Sequence, residues 1–115
     1  MSVIRIVGCG VLLLFMVAGE PAHAKMASTQ SVVNVTTSSA QVLAVNQSRT
    51  FLILENDSDT TIYCAVRVTA VLNQGIRLNA SGGALLLDIK VPWEALNCIH
   101  GGSGNKVLLI MEGTQ

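Results

Sequence analysis

Aromatic side chains are scarce in this chain, at 3% of 115 residues. A binding platform of stacked rings needs more flat apolar area than that. Charge is scarce as well. Lys and Arg number seven against seven Asp and Glu, 12% in all, and the formal net charge is zero. Nucleic acids and anionic membrane surfaces are gathered through clustered cations, and this chain has neither a cluster nor a charged tail, so no nucleic-acid partner is expected. Disorder is excluded too, because half the residues are apolar and disordered segments pair low hydrophobicity with high net charge. A helical period is never sustained over three turns.

The first 24 residues read as a secretory signal. A short start with Arg5 leads into an apolar stretch from Ile6 to Ala18, and a polar tail ends in Ala22-His23-Ala24, a small-x-small cleavage site. This stretch of thirteen residues, weakened further by Gly8 and Gly10, falls short of the roughly 20 that span a bilayer core. The expectation is a signal peptide over 1–24 and one β domain over 25–115, with the membrane met only during export. The alternative is an uncleaved membrane-proximal anchor. The mature chain would bury about 60–65% of its unfolded surface, one modest core. It would act as a secreted or periplasmic protein.

Beyond residue 24 two cysteines remain, Cys64 and Cys98. In an oxidising compartment they are expected to pair, closing a loop of about 35 residues for roughly 3–4 kcal/mol of stabilisation. The alternative is two buried free thiols. A metal site has no third or fourth ligand at zinc-like spacing, and no cofactor is expected.

Short β-rich runs alternate with turn residues. They are Ser31–Val35, Gln41–Val45, Thr50–Asn56, Thr61–Val68, Ile76–Leu78, Ala84–Lys90, Ala95–Ile99 and Lys106–Glu112. The alternative for the segment from Glu94 to Asn97 is one helical turn, which changes the count by one strand. Seven to eight antiparallel strands with turns between them predict an all-β single domain, a small sandwich or jelly roll. Three runs are apolar on both sides of the pleat: Phe51 and Ile53 against Leu52 and Leu54, Leu85, Leu87 and Ile89 against Leu86, and Val107, Leu109 and Met111 against Leu108 and Ile110. A two-layer sandwich needs only one apolar face per sheet. The surplus predicts either covering loops or protein partners, as a homo-oligomer or a larger assembly.

Catalytic chemistry finds little to use. His100 is the one histidine after residue 24, and with no acidic residue near it in sequence it reads as a surface-turn histidine rather than a triad member. Gly101-Gly102-Ser103-Gly104-Asn105 lacks the glycine two places after serine that a nucleophile elbow requires, and reads as a hairpin loop. Asn56-Asp57-Ser58-Asp59 collects oxygens, yet Ile62 and Val68 stand where an EF-type calcium loop needs glycine and glutamate. An Asx-type turn is the simpler reading. Asn34, Asn46, Asn56 and Asn79 each open an Asn-x-Ser/Thr triplet, a glycan acceptor only in a eukaryotic secretory route. Of the aromatics, Phe51 is expected in the core, while Trp93 beside Pro92, with Tyr63, is the weak candidate for binding a carbohydrate or other ligand.

The run Ala40-Gln41-Val42-Leu43-Ala44, Asn46, Arg49, then Leu52 to Ser58 with Asp59, Thr60, Ile62 and Tyr63, resembles a small β-sandwich domain of bacteriophage virion and tail-associated proteins. Gly75-Ile76-Arg77-Leu78, the Gly82-Gly83 turn and Lys106-Val107-Leu108-Leu109 continue the likeness, which spans most of Ser31 to Glu112. The resemblance rests on turn and core residues. It implies a decoration, head-fibre or adaptor module that binds a protein lattice, often as an oligomer, without enzymatic activity. The signal-like start and the cysteine pair depart from that pattern.

Overall fold

A computed structural model describes residues 25–115; the signal-peptide reading of 1–24 lies outside them. Eight strands are present, β1 Ala27–Val35, β2 Ala40–Leu43, β3 Arg49–Asn56, β4 Ile62–Val66, β5 Ile76–Leu78, β6 Ala84–Leu87, β7 Leu96–His100 and β8 Lys106–Thr114. They form two antiparallel four-stranded sheets, β1-β8-β3-β6 (sheet A) and β2-β7-β4-β5 (sheet B). The described domain is therefore an all-β sandwich without a helix.

Alternation along the strands builds the core. Leu52 and Leu54 of β3, Leu108 and Ile110 of β8, and Val35 of β1 face Ile62 and Cys64 of β4, Leu78 of β5, and Leu96 and Cys98 of β7, all buried. Each leucine so enclosed contributes about 1.5–3 kcal/mol relative to exposure.

Backbone conformation stops two strands earlier than their composition suggests. Arg67 has φ 73°, and the Val68 N–H donates to Val66 O at 2.8 Å, a tight turn that ends β4 before the apolar Val68. β6 ends at Leu87, so Ile89 lies past the ladder and stands exposed, and Lys90 beyond it takes φ 55°. Glu94 to Asn97 is not a helical turn, because Leu96 and Asn97 belong to β7. Gly75 is required where it stands. Its φ is +77°, and a Cβ there would meet the Cys64 carbonyl oxygen at 2.5 Å.

Cys64 and Cys98 form a disulfide. They are direct partners in the β4–β7 ladder, with Cα atoms 4.1 Å apart, and both side chains are buried. The bridge is therefore a rung inside sheet B. Such a bond is compatible with an extracellular or periplasmic setting.

Candidate functional site

The strands that read as apolar on both sides are β3, β6 and β8, and the structure makes them neighbours in one sheet. Their second apolar rows consequently merge on the outer face of sheet A. Register sets Ile53 across from Met111 on one side and from Leu86 on the other. Val32 on β1 sits across from Leu109. Val32 is 70% exposed and Leu86 57%. A shallow depression of about 590 Å³ lies along this face, lined by Val32, Ile53, Leu109 and Met111 with Gln30 and Glu55 at its polar margin. Apolar floor and polar rim are the anatomy of a protein-binding surface.

Phe51 belongs to this outer face and not to the core. It is half-buried because it pairs with Gly113 across the β3–β8 ladder. A Cβ on Gly113 would collide with Phe51 Cβ and the Met26 side chain. The phenylalanine and Met26 thus cover a glycine gap in the sheet, which is why the aromatic turns outward.

One pole of the sandwich carries the β2–β3 and β6–β7 connections, together with the start of β1 and the end of β8, where Ala27 pairs with Thr114. Arg49 organises this pole. A register irregularity between Arg49 and Phe51 lets a residue of outward parity turn inward, and its side chain is fully buried. Arg49 Nε donates to Glu112 Oε2 at 2.7 Å. Its remaining nitrogens donate to the carbonyls of Pro92, Glu94 and Ala44. The Asn46 N–H donates to the Trp93 carbonyl at 2.8 Å, and Asn46 Nδ2 reaches the same Glu112 oxygen at 2.9 Å. With three successive carbonyls, 92 to 94, tied inward, the Trp93 side chain faces outward and stays 47% exposed. Arg49 entered the sequence reading only through the resemblance and Glu112 only as the end of a β run, neither as a site residue. A lone cation opening an apolar strand was the available signal.

Tyr63 is not beside Trp93. It lies mid-sheet on the outer face of sheet B, between Ile99 and Arg77 in register, and its hydroxyl donates to Asn73 Oδ1 at 2.9 Å. Small polar depressions flank it, lined by Asn73, Gln74 and Arg77 on one side and by Thr60, Leu72 and Gly102 on the other. The two weak binding candidates therefore occupy separate places and form no common platform.

The surface-turn reading of His100 is overturned, since the residue is fully buried. It occupies the last inward position of β7, and its ring latches the glycine loop that follows. The Gly102 N–H donates to Nδ1 at 3.0 Å, so Nε2 carries the proton it shares with the Gly104 carbonyl at 2.7 Å. Gly101 to Asn105 is not the hairpin loop expected from the sequence, because it carries the chain from β7 in sheet B to β8 in sheet A, strands that do not pair.

Asn56 is the other buried polar anchor. Nδ2 donates to Thr60 O at 2.8 Å and Leu78 O at 2.9 Å, and Oδ1 accepts from Ser58 Oγ at 2.6 Å. These bonds make the Asx-type turn and tie it to β5. Asn56 is fully buried, so its triplet is closed to a glycan in the folded state. Next to it Lys106 Nζ meets Asp59 Oδ1 at 2.8 Å. The hydrogen bond from Lys106, then that from the Thr60 hydroxyl, holds the Asp59 carboxyl below the usual aspartate range.

No protein-family model matches the chain, and no curated protein matches it.

Proposed function

We propose that this protein is a non-catalytic structural module that works outside the cytosol and packs against protein partners through the outer face of sheet A. The observation that carries this reading is the merged apolar row of Val32, Leu109, Met111, Ile53 and Leu86, on a sheet whose inner face already supplies the core. A sandwich has no folding reason to make both faces of one sheet apolar. The resemblance to phage decoration and head-fibre modules points the same way, toward a subunit seated on a protein lattice. The disulfide and the signal-like start favour a secreted or periplasmic variant of that role. A non-enzymatic role fits His100, whose two ring nitrogens are both committed to the neighbouring loop.

The test replaces apolar floor by charge. Ile53→Lys and Leu109→Lys are each expected to keep the fold, read by circular dichroism and an intact disulfide, and to abolish packing against the neighbouring gene products reconstituted beside it. Packing unchanged in both variants would remove the reading.

A second reading has one observation of its own, the exposure of Trp93 on a backbone held from beneath by Arg49 and Asn46. A rigidly presented indole suits a secreted module for carbohydrate or another surface ligand. It predicts a shift in Trp93 fluorescence on titration with a binding glycan, and silence across a broad glycan panel would eliminate it.

A further inference from the structure

We infer that the free edge of β1 is a two-fold seam, along which a second copy of this chain adds its own β1 to extend sheet A from four strands to eight. Every open sheet has two edges, and proteins guard them by shortness, charge, proline or bulges. Three of the four edges here carry such guards. β2 has four residues and a register break between Gln41 and Leu43. β5 has three residues with Arg77 at its centre. β6 has four residues, followed at once by Asp88 and Lys90.

β1 has none of these guards. Its nine residues, Ala-Ser-Thr-Gln-Ser-Val-Val-Asn-Val, include no charge, proline or glycine. Its register with β8 runs from Ala27 to Val35 without a break, so the strand is straight enough to template another. Residues 27–32 are exposed. Its outer main-chain N–H and C=O groups over that stretch face away from β8, where a paired strand would bind them.

The occupant is a second copy because the edge complements itself. Antiparallel pairing about a two-fold axis through the middle of β1 sets each residue against a residue of the same strand, and an uncharged strand meets no like charge in doing so. A partner chosen by charge would find no sign on β1 to read. One unguarded edge among the described residues also closes the assembly. Two copies use both edges, leaving no site for a third, so the product is a dimer and not a fibre. The seam binds main chain at an edge, whereas the packing surface proposed above is a sheet face, so either can fail alone.

Sedimentation of the purified protein from dilute to concentrated solution tests the seam, with hydrogen exchange read at the β1 amides. The wild type is expected to form a dimer in which amides between Ser28 and Val33 exchange more slowly than in the monomer. Val32→Lys places two lysines at the seam and is expected to weaken association by about tenfold or more. Ile53→Lys, in the middle of the face, and Leu86→Lys, on the opposite edge, are expected to stay dimeric. Because Val32 is already mostly exposed, its variant keeps the disulfide and the circular dichroism of the wild type. A wild type that is monomeric at every concentration overturns the seam while leaving the apolar face to other partners. Loss of the dimer in Ile53→Lys as readily as in Val32→Lys, with β1 amides unprotected, overturns it in favour of face-to-face association. A Val32→Lys protein that dimerises like the wild type overturns it as well.

Discussion

Arg49 and Glu112 form an ion pair between neighbouring strands of sheet A, 2.7 Å from Nε to Oε2, with the arginine side chain wholly buried and the carboxylate side chain 16% exposed. The pair joins β3 to β8, and through the arginine's other donors it also holds the β2–β3 and β6–β7 connections. A buried charge of this kind is costly to leave alone, since removing one partner strands the other.

Glu112→Ala is therefore expected to destabilise the domain by about 3–5 kcal/mol, measured by urea unfolding. Arg49→Met should release the Pro92 and Glu94 carbonyls as well, red-shifting Trp93 emission and speeding amide exchange at Asn46. An unchanged Trp93 spectrum in Arg49→Met would show that the indole is positioned by something else.

The disulfide predicts a different signature. Replacing both Cys64 and Cys98 by Ala should lower stability by about 3–4 kcal/mol, acting mainly through the unfolded chain. Because both sulfurs are buried, reduction of the native protein should be slow without denaturant and fast with it, followed by thiol titration. Two titratable thiols in native, untreated protein would contradict the bond.

His100→Ala should unfold the latch, not an active site. It leaves the Gly102 N–H and the Gly104 carbonyl without their partner and opens a cavity, at a cost of about 2–5 kcal/mol. Nuclear magnetic resonance should show the disturbance confined to residues 100–106 and the adjoining Thr60. A hydrolytic activity lost in this variant at unchanged stability would bring back an enzymatic role.

Asp59 gives the pH prediction. Its carboxyl titrates below the ordinary aspartate value because of Lys106, so the interaction is complete above the unfolded-state pKa and disappears as pH falls through the depressed folded value. Lys106→Met should raise the Asp59 midpoint, seen in its side-chain carbon shift, and flatten the stability difference between neutral and acid solution. A midpoint that does not move would assign the depression to the Thr60 hydroxyl alone.

Most of the fold was legible in the sequence because strand signals are local. The alternation around Leu52 and Leu54, the turn at Asp57 to Thr60 and the glycine loop after His100 each announce themselves within a few residues. Strand ends at Val66 and Leu87 were overrun, since a positive φ at Arg67 or Lys90 is not encoded by residue type as glycine would encode it. The surplus of apolar faces was legible too, but its concentration on sheet A depended on β3, β6 and β8 becoming neighbours, a non-local fact. The burial of Arg49, His100 and Asn56 was hidden for a related reason. A polar side chain is buried only where carbonyls and amides from distant segments converge on it, and no window of sequence contains them. Phe51 was misplaced because the glycine it covers lies on another strand.

The pairing of Ala27 with Thr114 brings the two ends of the sandwich out side by side, at the same pole as Trp93. Any bulky group attached at this pole, as at Lys25 or Gln115, emerges on the same side of the sandwich as that indole. The far pole, with the Gly101–Asn105 loop and the Asp59–Lys106 contact, stays clear of such additions. Immobilising the protein through that pole would thus blind a ligand screen to Trp93, and a surface attachment through the opposite loops would leave it in view.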